Sequence, residues 1–193
     1  MSFQAQLAYG KAAETAIAGW LMSRGNCVLP VYEKIIDEGK GPQLFTSNTE
    51  LVAPDLVAFK EGKARLIEAK HKTGFTWHRI TQRWVTGIDL RHYKDYLSVA
   101  SATDVPVWLL FLHEGGTAKD SPAESPAGLF GNEIFALREN ENHRHENWGM
   151  SGMVYWAREE DGGALKYIAS LDAIRLAAAA CYTPREVEEC QGK

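Results

Sequence analysis

The feature that most constrains the fold is a pair of strand-like segments, residues 51–59 and 64–70, that lie on either side of a turn signal. Glu61-Gly62 stands between them, and a polar residue followed by glycine between two apolar runs is typical of a β-hairpin. The first of these segments nevertheless carries an aspartate, Asp55, in an otherwise apolar run. The sequence therefore predicts an antiparallel hairpin that holds an acid where a core residue is expected.

The length of the hairpin loop decides what this aspartate faces. A two-residue loop, Glu61-Gly62, pairs Lys60 with Lys63 and so places Asp55 directly opposite Glu68. A four-residue loop, Lys60–Lys63, keeps this register, whereas a three-residue loop would shift it by one. Directly opposed Cβ atoms lie about 4.5–5.5 Å apart, and like charges in that position are destabilising. Because side chains alternate along a strand, Lys70 shares the face of Glu68. We therefore expect two acids and a lysine to converge at one point.

Two interpretations of this convergence remain open. Hard divalent cations prefer oxygen ligands, so the two carboxylates and the backbone carbonyl of Ala69 would suit Mg²⁺. Such an ion lowers the pKa of a bound water and stabilises charge on a phosphate, and Lys70 could orient that water or neutralise the developing charge. Alternatively, Asp55 and Glu68 are acids at strand ends that pair with Lys70 in a salt-bridged network.

The remaining hydrophobic pattern predicts an α/β fold. Helices are expected at 5–24, 89–103 and 171–182, and further strands at 27–36, 105–113, 129–137, 153–157 and 166–168. Residues 37–48 and 114–128 read as loops, and 73–87 as a loop with a short helix. A chain of 193 residues suits a single domain, 1–193, with one central sheet.

Charge and cysteine content limit the class of protein. The net charge is −4, but residues 63–94 are locally basic, which favours either a nucleic-acid-binding patch or a solvated face. The three cysteines show no CxxC spacing, which argues for a reducing compartment and against a disulfide framework or a zinc site. No membrane span or secretory signal is expected, so the sequence favours a cytoplasmic protein.

The acid-containing hairpin resembles the signature of the PD-(D/E)XK nuclease superfamily, which has a restriction-endonuclease-like fold. Pro54-Asp55 stands as its PD and Glu68-Ala69-Lys70 as its E-x-K, with twelve residues between the two acids. The resemblance implies an α-β-β-β-α-β core over about 7–113, with a central mixed sheet flanked by helices and C-terminal strand and helix additions over about 129–183. It also implies Mg²⁺- or Mn²⁺-dependent hydrolysis of phosphodiester bonds in DNA, with Asp55, Glu68 and Lys70 as catalytic residues.

The resemblance extends to the first helix. The opening helix of Holliday-junction-resolvase-like members is similar to the segment Gly10-Lys11-Ala12-Ala13-Glu14, followed by Trp20-Leu21 and Gly25. The resemblance implies that Glu14 completes the catalytic and metal-binding set with Asp55, Glu68 and the Ala69 carbonyl. Endonucleolytic cutting follows from this comparison alone. Some exonuclease-like members carry a Gln-x-x-x-Tyr motif after the E-x-K. This chain departs from that motif, because Gln82 is followed four positions later by Thr86 rather than tyrosine.

A basic and aromatic segment follows the motif closely. Basic residues with an interleaved aromatic suit a phosphate backbone and an unstacked base. The candidate nucleic-acid-binding residues are Lys72, Trp77, His78, Arg79 and Arg83, with a basic loop around a core tryptophan as the alternative. DNA is the expected partner, and a homodimer is expected if both strands are cut. The alternative function is a nuclease-fold protein that binds nucleic acid or a protein without cutting.

Overall fold

The computed structural model describes residues 3–31, 42–147 and 151–181. Its helices are α1 (Phe3–Ser23), α2 (Leu90–Thr103), α3 (Ile134–Glu139) and α4 (Leu171–Cys181). Its strands are β1 (Cys27–Pro30), β2 (Gln43–Phe45), β3 (Glu50–Val52), β4 (Leu56–Lys60), β5 (Lys63–Lys72), β6 (Thr76–His78), β7 (Arg83–Asp89), β8 (Val107–His113), β9 (Gly116–Thr117), β10 (Glu124–Ser125), β11 (Gly128–Glu133), β12 (His143–His145), β13 (Met153–Ala157) and β14 (Lys166–Ala169).

Six of these strands form the central sheet, in the order β1-β4-β5-β8-β11-β14. The β5–β8 pair is parallel and the other neighbours are antiparallel, so the sheet is mixed. Helices α1 and α4 contribute to the apolar core on one face of the sheet, and α2 and α3 contribute to the core on the other. The expected α/β fold, with a central mixed sheet flanked by helices, is confirmed.

The first helix forms where its apolar stripe predicts it. Ala13, Ile17 and Leu21 are buried at i, i+4 and i+8 and pack against the central sheet. Gly25 follows the helix with a φ of 79°, a conformation that glycine adopts without the steric cost of a Cβ. Strand β1 accounts for the start of the predicted strand 27–36, and residues 32–36 lie outside the described residues.

A second sheet corrects the prediction for residues 73–87. Four strands pair in the order β12-β13-β7-β6, so this segment is a β-hairpin and not a loop with a short helix. Trp84, Val85 and Ile88 of β7 are buried, which explains why the strand forms. The hairpin loop contains no glycine, and Gln82 takes the positive φ of 51° that the turn requires.

Two predicted strands are also wrong in extent. The segment 51–59 is interrupted, because β3 pairs with β2 in a separate hairpin and the central strand β4 begins only at Leu56. Asp55 therefore lies immediately before a strand and not in the middle of one. The segment 129–137 divides into β11 and α3, because the Glu133 side chain accepts hydrogen bonds of 3.0 and 3.2 Å from the N–H groups of Phe135 and Ala136 and so begins a helix.

The remaining elements agree more closely with the sequence pattern. Strands β8, β13 and β14 form as expected, and α2 begins after Asp89, whose side chain accepts from the Arg91 N–H. Ser170 begins α4 by accepting a 3.2 Å hydrogen bond from the Ala173 N–H, while Tyr182 lies outside the described residues. Within the described residues, none of the helices combines the length and apolar character needed to cross a membrane.

Candidate active site

The β4–β5 hairpin has the register that the sequence predicts. Leu56 pairs with Ile67 and Lys60 with Lys63, so a two-residue turn joins the strands. Both turn residues have positive φ values, 51° at Glu61 and 74° at Gly62, as a tight turn matched to strand twist requires. Continued by one residue, this register sets position 55 against position 68.

The carboxylate of Asp55 is fixed to β5 by its own hydrogen bond. Its Oδ2 atom accepts from the backbone N–H of Ala69 at 2.9 Å. Glu68, the next residue back along β5, is only 1% exposed and forms an ion pair with Lys70 through its Oε1 atom. Since Ile67 and Ala69 pack on the α1 side of the sheet, Glu68 and Lys70 project to the α2 side.

Glu14 of α1 joins this group of charges. Burial raises the pKa of the Glu14 carboxyl, and the negative charge of Glu68 raises it further, while Lys70 opposes the shift. Burial also raises the pKa of Asp55, to about 8, with Glu68 again the next largest cause. The structure therefore brings Glu14, Asp55, Glu68 and Lys70 within electrostatic reach of one another.

Lys70 retains its positive charge in this setting. Burial on its own would lower the pKa of the Lys70 ammonium, but the negative charges of Glu68 and Asp55 outweigh it, so the pKa lies above its ordinary value. A protonated lysine beside three acids compensates part of their mutual repulsion. Of the salt-bridged network considered from the sequence, the Lys70–Glu68 ion pair is present, while the Asp55 carboxylate accepts from the Ala69 N–H.

The chemistry of the donor set suits a hard cation. The Glu68 Oε2 atom is buried and has no hydrogen-bond partner among the described residues, and Asp55 and Glu14 supply further carboxylate oxygens. Over residues 3–31, 42–147 and 151–181, no three His, Cys, Asp or Glu side chains stand in a preformed metal-binding arrangement. A cation that took up the Glu68 carboxylate would compete with Lys70 for it.

Tyr96 is a component of the site that the sequence did not identify. It lies on α2, is almost fully buried and sits beside Glu68. Burial raises the pKa of the Tyr96 phenol far above its ordinary value, and the negative charge of Glu68 raises it further. The helical stripe of Leu90 and Tyr93 signals a buried face, but periodicity does not show which strand that face meets.

The predicted nucleic-acid-binding residues fall in two places. Lys72 continues the face of Glu68 and Lys70 along β5, and burial followed by the charge of Lys70 lowers its pKa to about 8. The others belong to the β6–β7 hairpin of the second sheet. There Trp77 packs edge to face on Trp84, His78 stacks on His143, Arg79 forms an ion pair with Asp120, and Arg83 begins β7.

Trp77 also packs against the apolar core, which agrees with the core alternative for this residue. The short His143-Arg144-His145 segment forms β12, and its histidines contact other rings.

Comparison with protein-family models gives no match to this sequence. Comparison with curated proteins gives no match either. Among solved structures, the chain is similar to Hjc, a Holliday junction resolvase from the archaeal hyperthermophile Archaeoglobus fulgidus. The TM-score is 0.43 and the sequence identity 10%, over 86% of this chain and 93% of that chain.

Proposed function

We propose that this protein is a Mg²⁺- or Mn²⁺-dependent deoxyribonuclease of the PD-(D/E)XK type, acting as an endonuclease. The observation that carries the proposal is the convergence of Glu14, Asp55, Glu68 and Lys70 at the open end of the β4–β5 hairpin. Placing one buried and two partly buried acids together is costly, and it is uncommon unless a cation or a chemical task accompanies them. A pKa of about 8 at Asp55 is the measure of that cost in the metal-free protein.

In this proposal the carboxylates of Glu14, Asp55 and Glu68 and the backbone carbonyl of Ala69 hold the divalent ion. When bound, the ion supplies Lewis-acid stabilisation of phosphate charge and a lowered pKa for a coordinated water. Lys70 donates hydrogen bonds from its ammonium group to the attacking water or to a phosphate oxygen, once it has left Glu68. Tyr96 restricts the orientation of the Glu68 carboxylate from the α2 side.

The proposed partner is DNA, with Lys72, which follows Lys70 on the same face of β5, as one contact and the β6–β7 hairpin as a second. A phosphate beside Lys72 would replace part of the hydration that burial removes from its ammonium group. The proposal includes a cytoplasmic location, because the spacing of the cysteines favours a reducing compartment. It also includes a homodimer if both strands are cut.

The test is a cleavage assay on linear, circular, branched and single-stranded DNA with Mg²⁺, Mn²⁺ or EDTA. We expect wild-type protein to cut at least one substrate with metal and none with EDTA, and Glu68→Gln and Lys70→Ala to lose cleavage. Glu61→Gln and Lys63→Ala are matched controls, because they make the same changes at exposed positions of the same hairpin. DNA affinity should survive in all four variants, since phosphate contacts elsewhere dominate it.

A second candidate is a nuclease-fold protein that binds nucleic acid without cutting. The Lys70–Glu68 ion pair favours it, because the pair satisfies one oxygen of the most buried acid without any metal. Absence of cleavage on every substrate with either metal, together with wild-type DNA binding by Glu68→Gln and Lys70→Ala, would replace the nuclease proposal with this one.

A further inference from the structure

The tip of the β6–β7 hairpin presents an apolar side chain to solvent. Ile80 is 88% exposed and lies in the four-residue loop between His78 and Arg83, which are paired across the hairpin. A single exposed isoleucine is common on protein surfaces and needs no special account. Its surroundings here distinguish it, because the loop that carries it is braced and stands next to a stack of rings.

The brace ties the hairpin loop to the start of β12. The Thr81 hydroxyl is hydrogen-bonded to His78 Nδ1 at 2.8 Å, and the Asn142 amide approaches the same hydroxyl at 3.4 Å. Asn142 also contacts His143 Nδ1 at 2.8 Å, where the amide donates and the ring nitrogen accepts. The loop is thus held in one position relative to the second sheet, and Ile80 is held out with it.

Three nearly parallel rings lie at the base of this loop. His78 stacks on His143 with centroids 4.0 Å apart and planes 11° apart, and His143 stacks on Tyr155 at 4.5 Å and 6°. All three residues are only partly buried. Burial lowers the pKa of His143 to about 4, with His78 as the next cause, so the central ring of the stack is neutral at physiological pH.

The position of Tyr155 depends on the glycine that it faces. Gly87 pairs with Tyr155 across β7 and β13, and a Cβ at this position would lie 2.8 Å from the Tyr155 ring and 2.2 Å from the Val154 carbonyl oxygen. A side chain at 87 would therefore displace the ring. The sheet leaves space for a flat aromatic surface where strand propensity alone would favour a larger residue.

A braced apolar tip beside stacked aromatic rings matches the chemistry of an unpaired nucleobase. Bases stack on aromatic side chains, and apolar side chains insert between base steps, which they partly unstack. A base inside a regular duplex is stacked on both faces and must first be unstacked, whereas an unpaired base can meet a protein ring without that cost. Arg79, with its side chain 68% exposed, stands next to Ile80, and its surface ion pair with Asp120 is weak enough for a phosphate to replace.

We propose that Ile80 and the His78–His143–Tyr155 stack form a binding site for an unpaired base of a DNA strand. The inference rests on the proposed function to the extent that DNA is the substrate. It narrows that substrate to DNA with a bulge, gap, flap or branch, where a base is free to leave the helix.

The test is equilibrium binding in EDTA, so that no cleavage intervenes. The probes are a fluorescent duplex and the same duplex with one bulged 2-aminopurine, whose emission reports stacking. We expect wild-type protein to prefer the bulged duplex and to quench its emission. Ile80→Ser and His78→Ala should each reduce this preference about 5- to 150-fold, the range that the loss of one base-stacking contact gives. The affinity of Ile80→Ser for the regular duplex should change less than about twofold, because the phosphate contacts are unaltered.

Two controls separate the site from general effects. Leu176→Ser removes another exposed apolar side chain, on α4, and should leave the preference unchanged. His78→Phe keeps a ring in the stack and should restore most of what His78→Ala loses. Since Ile80 is exposed, Ile80→Ser should unfold at the wild-type temperature, and it remains a valid test if His78→Ala disturbs folding.

The outcomes distinguish the inference from the proposed function. If wild-type protein binds both duplexes equally, the inference is wrong and the nuclease proposal stands. The same conclusion follows if Ile80→Ser and His78→Ala both keep the wild-type preference for the bulged duplex. If wild-type protein binds neither duplex and cuts no DNA, the proposed function is wrong and the inference falls with it.

Discussion

The Asp55 carboxylate is held 2.9 Å from the backbone N–H of Ala69, across the open end of the β4–β5 hairpin. Asp55 precedes the first paired residue of β4, so this side-chain bond extends the hairpin by one step beyond its ladder. The same bond fixes the acid beside Glu68 and Lys70. The position of the carboxylate is therefore set before any ligand arrives, at the cost of a raised pKa.

That raised pKa predicts how the metal-free protein responds to pH. The pKa of Asp55 is about 8 in the folded state against an ordinary value of 3.8, so its contribution to stability is present below pH 4 and is lost as pH rises through 8. We expect the free energy of unfolding of the wild-type protein to fall by on the order of 2–4 kcal/mol between pH 5 and 9 because of this group, and we expect Asp55→Asn to lack that fall. Urea unfolding in EDTA measures this, and parallel pH profiles for the two proteins would contradict it.

Metal binding should compete with protonation of the Asp55 carboxylate. Because a carboxylate must be deprotonated to hold a cation, we expect the affinity for Mg²⁺ to rise with pH until Asp55 is ionised, near pH 8. Titration calorimetry should show proton release on binding, and Mg²⁺ should raise the unfolding temperature. Glu68→Gln should abolish that increase while Glu61→Gln retains it. An equal response of both variants would show that Mg²⁺ acts elsewhere.

Tyr96 provides a test of the residue that the sequence missed. Tyr96→Phe removes the hydroxyl beside Glu68, and loss of a group that orients a metal ligand typically costs about 10- to 100-fold in metal affinity or activity. Tyr93→Phe is the matched control: it lies on the same buried face of α2, but its hydroxyl donates to Glu141 at 2.8 Å. Similar cleavage rates for the two variants would assign Tyr96 to packing alone.

His113 predicts a separate loss of stability in acid. It is fully buried at the end of β8 and stacked on Phe75 with centroids 3.8 Å apart, and burial lowers its pKa to about 3 from 6.5. A depressed pKa contributes stability above pH 6.5 that is lost as pH falls through 3. We expect His113→Leu to reduce the loss of unfolding free energy between pH 6.5 and pH 3 by on the order of 3–5 kcal/mol. Circular-dichroism melts at a series of pH values would show it, and an unchanged acid limb would contradict it.

Local chemistry explains which parts of the fold could be predicted. The hairpin register follows from Glu61-Gly62, because a two-residue turn with two positive φ values leaves only one pairing. Helix α2 follows from its apolar stripe and from the capping side chain of Asp89. In both cases residues close in sequence supply the decisive contacts.

The errors arise where distant contacts or unusual turn residues decide. The β6–β7 hairpin turns through Gln82 and not through glycine, so the sequence carries no turn signal there. Strand 51–59 is divided because Leu51 pairs within the β2–β3 hairpin, and no residue inside the segment announces that partner. Tyr96 meets Glu68 only after α2 has packed on the central sheet.

The two sheets of this protein are interleaved along the chain, since β6 and β7 lie between β5 and β8 of the central sheet, and β12 and β13 lie between β11 and β14. A protease that cut the chain after β8 would leave a β-hairpin of the second sheet on each fragment. No single truncation therefore yields the central sheet without part of the second. Shortening the protein to its central sheet would require two internal excisions, each closed by a new connection.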